Sequence, residues 1–131
     1  MKKVFLGGTC NGSSWREELI PMLKCEYFNP VVKDWTPECQ EEERRQKIIC
    51  DCQLYVITAR MTGVFSIAEV VDSSNKAPEH TILCIITEDN YDGNSFFDFE
   101  KKSLNAVKEL VKSNGAYVFD SLEEVAEFIN K

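Results

Sequence analysis

Few residues in this chain have types and spacing that suit chemistry. Glu69 is the single carboxylate in the apolar and small-residue stretch TGVFSIAEVV (62–71), about one turn into a predicted helix. On a helical wheel it sits with Phe65, Ser66, Asp72 and Ser73, opposite Val64, Ile67, Ala68 and Val71, so it reads first as a solvated helix glutamate. Asp51, in IICDCQLYVIT, stands just before an apolar run, where an acid either caps the chain or takes part in chemistry. The stretch GGTCNGSSW (7–15) joins glycines and hydroxyls at the start of a helix. Such a loop turns backbone N–H groups toward an anion, or simply makes a tight turn and a helix cap. It contains neither a Walker lysine nor the G-x-G-x-x-G fingerprint. A later loop holds Asn29, Asp34 and Trp35. That tryptophan either stacks on a base or sugar or covers a sheet edge, whereas Trp15 reads as core.

The remaining reactive side chains point to less. The six cysteines include one close pair, Cys50-x-Cys52, and the single histidine is His80, which is not a zinc-ligand pattern. No export signal accompanies them, so they read as reduced and mostly buried thiols. His80 falls at the amino end of a predicted strand and reads as structural. The basic pair Arg44–Arg45 lies in EEERRQK, which reads as a solvated helix face.

The elements that must position these residues alternate. Strands are expected over 2–7, 25–29, 53–58, 80–87 and 116–119, each a short continuous apolar run. Helices are expected over 14–24, from Pro37 through Cys50, over 65–75, from Phe99 to a stop at Gly115, and from Asp120 or Ser121 through Ile129. Pro21 should kink or end the first helix, which Ser14 and Glu17 would open as a capping box. Thr36 should cap the second, with Pro37 at its first position. The pattern predicts an α/β fold: a doubly wound, five-stranded parallel sheet in three layers, of flavodoxin-like order 2-1-3-4-5, as a single domain over 1–131. Ligands in such folds bind at the carboxyl ends of the strands, near the switch in strand order. Loops 7–14, 29–37, 58–64 and 88–97 therefore carry the functional expectation.

Composition narrows the class. A net charge of −7, from 22 acidic and 15 basic residues, disfavours a nucleic-acid partner. No apolar run is long enough for a membrane span, and residues 1–8 read as a first strand rather than an export signal. A cytoplasmic location is the expectation.

The pieces KVFLGGTCNGSSWREELIP, YFNPVVKDWTPE, CDCQLYVIT and TGVFSIAEV, across roughly the first 75 residues, together resemble the small, divergent branch of the nucleoside 2-deoxyribosyltransferase family. The resemblance implies a nucleoside or nucleotide partner and a nucleophilic glutamate at the start of the helix after the third strand, here Glu69. It implies an aspartate in the same site, here Asp51, which would protonate the leaving base if its pKa were raised. Around them it places the substrate-lining positions Gly7, Gly8, Thr9, Asn29, Asp34, Trp35 and Gly63. No metal or organic cofactor is implied, because carboxylates carry the reaction: one forms a glycosyl ester and the other moves protons. The well-studied transferases carry an acid where this chain has Gly63, a departure from the pattern. The resemblance also implies a homo-oligomer in which a neighbouring subunit lends an amide, for which Asn90 and Asn94 are candidates. Hydrolase relatives hold a 5′-phosphate near Ser13, Ser14 and Arg16.

Two other readings fit less of the chain. TCNGSS (9–14) approximates a flavodoxin phosphate loop for FMN, although Phe65 is the lone aromatic near the third loop. A catalytically silent nucleotide-binding module would account for the glycine at position 63.

Overall fold

The structure is a computed structural model and describes residues 1–10, 12–87 and 95–131. Five strands, β1 (Lys3–Gly8), β2 (Glu26–Phe28), β3 (Cys52–Ile57), β4 (Thr81–Ile85) and β5 (Tyr117–Phe119), form one sheet of order β2-β1-β3-β4-β5. Every pairing is parallel. This is the expected α/β three-layer architecture, with a switch in strand order between β1 and β3.

Four helices connect the strands, α1 (Trp15–Leu19), α2 (Pro37–Ile49), α3 (Phe65–Lys76) and α4 (Asp98–Ser113), and α5 (Leu122–Ile129) follows β5. Their ends follow local chemistry. Pro21 converts the end of the first helix into a 3-10 turn over Ile20–Met22. Thr36 accepts a hydrogen bond from the Cys39 N–H, and Ser121 one from the Glu124 N–H, as N-caps do. Ser14 stands at the N-cap of α1, but its side chain makes no capping bond, so the expected capping box does not form.

The two sheet faces are covered differently. On one face Val4, Leu6, Leu54 and Val56 pack beneath Trp15 of α1 and Leu122, Val125 and Ile129 of α5. On the other, Tyr55, Ile57, Leu83 and Ile85 pack beneath Val70 of α3 and Leu104 and Val111 of α4. Each fully buried aliphatic side chain contributes about 1.5–3 kcal/mol. α2 lies on the second face yet has no apolar stripe, and the only residue it buries is Gln46. It is held at its carboxyl end, where Gln53 Nε2 donates to the Lys47 carbonyl at 2.8 Å. The Lys47 ammonium lies 5.4 Å from the centre of the Phe5 ring. A helix that cannot seat on the sheet leaves room beneath it, and the candidate site occupies that room.

All six cysteines are unbridged, with Cys50, Cys52 and Cys84 buried and Cys10 exposed. Among the described residues no helix is long and apolar enough to cross a membrane.

Candidate active site

The first loop is built from its backbone. Gly8 has φ +114°, and a Cβ there would lie 2.1 Å from the Val56 carbonyl oxygen. Only glycine allows β1 to end so close to β3. The Thr9 N–H donates to the Val56 carbonyl at 2.8 Å, and Thr9 Oγ1 accepts from the Thr58 N–H at 3.1 Å. Loops 7–14 and 58–64 are thereby joined at the switch point.

Trp15 and Arg16 close the loop from inside. Trp15 Nε1 donates to the Thr9 carbonyl at 2.9 Å. Arg16 is buried, with Nη1 donating to the same carbonyl at 2.8 Å. Its Nε and Nη2 donate to the Leu6 carbonyl at 3.1 and 2.9 Å. The Arg16 guanidinium therefore serves backbone carbonyls rather than standing open as a phosphate ligand. Ser13 Oγ lies 3.1 Å from Thr58 Oγ1 and ties the same two loops.

Beside this loop is a cavity of about 570 Å³. Phe5, Gly7 and Gly8 come from β1, Gln40, Glu43, Arg44 and Lys47 from α2, and Phe65, Ser66 and Glu69 from α3. Cys10 and Arg16 also border it. Its size falls within the range of small-ligand sites.

Glu69 stands one turn into α3 with its side chain 22% exposed. Lys47 Nζ lies 2.5 Å from Glu69 Oε2, an ion pair that joins α2 to α3 across the cavity wall. The expectation of a solvated glutamate gives way to a half-buried, paired one. Glu43, one turn before Lys47 on α2, is also half-buried. Burial lifts its carboxyl above the ordinary value; the Lys47 charge opposes this and the Glu69 charge adds to it. Beneath Glu69, burial pushes the Tyr55 hydroxyl up, with the Glu69 charge adding and a hydrogen bond to Ser73 opposing.

The other expected residues are distributed unevenly. Gly7 and Gly8 line the cavity. Gly8, Thr9 and Gly63 border a small adjoining hollow of about 150 Å³, with Phe65 and Ser66 on its wall. Asp51 is exposed and lies before β3, at the amino edge of the sheet. Its Oδ2 accepts from the Lys2 and Lys3 N–H groups, each at 2.8 Å. The backbone N–H groups of Lys3 and Lys2 hold its carboxyl below the ordinary value, against the raised value that a proton donor needs. Asp51 borders an open groove of about 680 Å³ that also reaches Glu69, but it is not part of the cavity. Asn29 folds back to accept from the Val31 N–H at 3.1 Å. Asp34 is exposed, as is Trp35, at 60%. Pro30 is the residue of that loop that reaches the cavity. His80 sits at the amino edge and contacts the Asp51 carbonyl through Nδ1 at 2.8 Å. Asn90 and Asn94 lie outside the described residues.

Glu43 and Lys47 are the residues that sequence reasoning missed. EEERRQK divides between two environments. Glu42 and Arg45 pair at 2.7 Å on the outer side, while Glu43 and Lys47 turn to the cavity. The available signal was Gln40, Glu43 and Lys47 at i, i+3 and i+7, a polar stripe where a sheet-covering helix needs an apolar one.

The fold and cavity define an α/β protein with a carboxylate-bearing pocket at the topological switch point of a parallel sheet. The chain belongs to the nucleoside 2-deoxyribosyltransferase-like family, whose model matches residues 1–87. That span runs from β1 past the end of β4 and includes Glu43, Asp51 and Glu69. Glycosyl transfer on nucleosides is the activity that this membership points to. No curated protein matches the chain.

Proposed function

We propose that the protein cleaves or transfers the N-glycosidic bond of 2′-deoxynucleosides or their 5′-nucleotides, with Glu69 as the nucleophile. The observation that carries this reading is the placement of Glu69. A half-buried carboxylate projects from the first turns of α3 toward a cavity bordered by the glycines of β1.

The chemistry follows from that placement. Oε2 is engaged by Lys47, which leaves Oε1 for the anomeric carbon. As the C1′–N bond breaks, its electron pair goes to the base and Oε1 forms an ester with C1′. Water or a second base then attacks C1′ from the opposite side, and the ester pair returns to Glu69 with net retention, the proton lost by the acceptor balancing the one the departing base takes up. A carboxylate suits an oxocarbenium-like centre because its charge stabilises the transition state more than the neutral substrate. Asp51 has no part in these steps, since its carboxylate is committed to the chain start. The exposed Phe65 at the cavity wall offers a ring face to the base.

The test is base exchange followed by chromatography. Wild type and Glu69→Ala are incubated with each 2′-deoxynucleoside or its 5′-monophosphate, with and without adenine. A new deoxynucleoside made only by the wild type supports transfer, and free base alone supports hydrolysis. Equal turnover by both proteins refutes the role of Glu69. Tight nucleotide binding without turnover replaces the enzyme reading with that of a binding module.

A further inference from the structure

We propose that the open groove between α2 and α3, on the far side of the Lys47–Glu69 pair from the cavity, is a second ligand site, built for a flat heterocycle that carries an amino group. This goes beyond the glycosyl-transfer reading and does not depend on it.

The groove has a volume of about 680 Å³, within the range of small-ligand sites. It shares Lys47, Glu69 and Asp72 with the cavity and nothing else. The ion pair is therefore a partition. Gly7, Gly8 and Phe65 line the space on one side, and Gln53, Ala77 and His80 line the space on the other. A ligand in the groove meets the pair from behind and leaves the cavity open to substrate.

The polar groups of the groove are oriented by their own hydrogen bonds. Thr81 Oγ1 donates to the Ala77 carbonyl at 2.8 Å, so its proton is spent. The contact of Ser73 Oγ with Thr81 Oγ1 at 2.6 Å is then a bond that Ser73 donates. Ser73 can only accept in its bond with Tyr55, so the Tyr55 hydroxyl donates and keeps its lone pairs. Gln53 Nε2 donates to the Lys47 carbonyl at 2.8 Å, which fixes the amide with Oε1 and one N–H uncommitted. His80 Nδ1 lies 2.8 Å from the Asp51 carbonyl, which only accepts, so Nδ1 carries the proton and Nε2 of the neutral ring is an acceptor. Open acceptors outnumber open donors.

The charges point the same way. Two lysines face three carboxylates, and each lysine is already paired, Lys47 with Glu69 and Lys76 with Asp72 at 2.9 Å. The lining thus offers acceptors and, among the described residues, no uncommitted cation. That suits a ligand with N–H donors and disfavours a phosphate or carboxylate. Ile48, Ile49 and Ala77 add aliphatic surface, with Ile48 83% exposed, which covers the face of a ring while its amino edge meets the acceptors. A linear polyamine would satisfy the acceptors but make less use of that surface.

The experiment is a titration followed by two-dimensional amide NMR on the isotope-labelled full chain, with adenine as the probe. Adenine should shift the amide signals of Ser73, Ala77 and His80 in a saturable way. Hypoxanthine, which has an oxygen in place of the amino group, should bind there about tenfold more weakly or worse. Ala77→Trp fills the groove and should abolish the shifts at Ser73 and His80, while the rest of its spectrum reports a folded chain. His80→Phe keeps a ring but removes an acceptor, and should weaken adenine binding about 3- to 10-fold. It carries the test if the Trp variant does not fold.

Shifts confined to Gly7, Gly8 and Ser66, no saturable shift, equal binding of hypoxanthine, or groove shifts caused by a linear polyamine and not by adenine each overturn the proposal. No turnover enters the measurement. A wild type that binds adenine in the groove and cleaves no nucleoside refutes the glycosyl-transfer reading alone.

Discussion

Lys47 Nζ and Glu69 Oε2 stand 2.5 Å apart, joining the end of α2 to the first turns of α3 over the ring of Phe5. The pair is half-buried, so it is screened less than a surface ion pair and fixes geometry more firmly. It orients one carboxylate oxygen, Oε2.

Lys47→Met should cost activity rather than fold. Misplacing a reacting group by about 1 Å costs about 10²-fold in rate. The loss should fall on kcat, with KM little changed and far-UV circular dichroism unaltered. Initial rates over a substrate series measure it.

Asp51→Asn should leave turnover near the wild-type level and weaken the fold on its acid side. The folded-state pKa of Asp51 lies below its ordinary value of 3.8. Its stabilising contribution is therefore complete above that unfolded value and is lost as pH falls through the lower folded value. Thermal melts from about pH 6 down to about pH 2 should converge for the two proteins at the acid end. A large loss of turnover in Asp51→Asn would instead return this residue to the site.

Gly8→Ala and Gly63→Ala should differ sharply. The first places a Cβ 2.1 Å from the Val56 oxygen at φ +114° and should destabilise by about 3 kcal/mol. Nothing lies within 4 Å of a Cβ at Gly63, so that variant should stay within about 0.5 kcal/mol of wild type. Urea unfolding of both tests the contrast.

Arg16→Met should destabilise without revealing a phosphate site. It removes both guanidinium bonds from the Leu6 carbonyl, at about 1–3 kcal/mol, while the Thr9 carbonyl keeps its bond from Trp15. If its effect on a 5′-monophosphate were much larger than on the matching nucleoside, the guanidinium would be a ligand after all. Parallel KM measurements on the two substrates decide this.

The strands and the caps at Thr36 and Ser121 were legible in the sequence because they are local, whereas the parallel order followed from the general rules of doubly wound folds. Continuous apolar runs mark strands covered on both faces, and Ser or Thr before a helical pattern marks its start. Pro21 was equally legible, since a ring without an N–H ends an α-helix wherever it falls. Glu69 was legible as a position, at the start of the helix following the third strand. Its partner was not, because Lys47 stands on a different helix, α2, and only the docking of α2 and α3 on one face of the sheet brings the two together.

By itself, then, the amino-acid sequence determined alternating strands and helices, with glycines after the first strand and an acid in the helix after the third. Apolar periodicity and turn chemistry act over a few residues, and no packing is needed to read them. Tertiary structure decided which carboxylates share a cavity. Asp51 and Glu69 resemble a catalytic pair along the chain, but the amino edge of β3 holds Asp51 against the Lys2 and Lys3 N–H groups. Glu43 lies in a charged run that looks solvated, yet α2 turns it inward beside Lys47. The physical reason is that burial and pairing depend on where helices dock. α2 has no apolar stripe to seat it on the sheet, so its polar face walls a cavity instead.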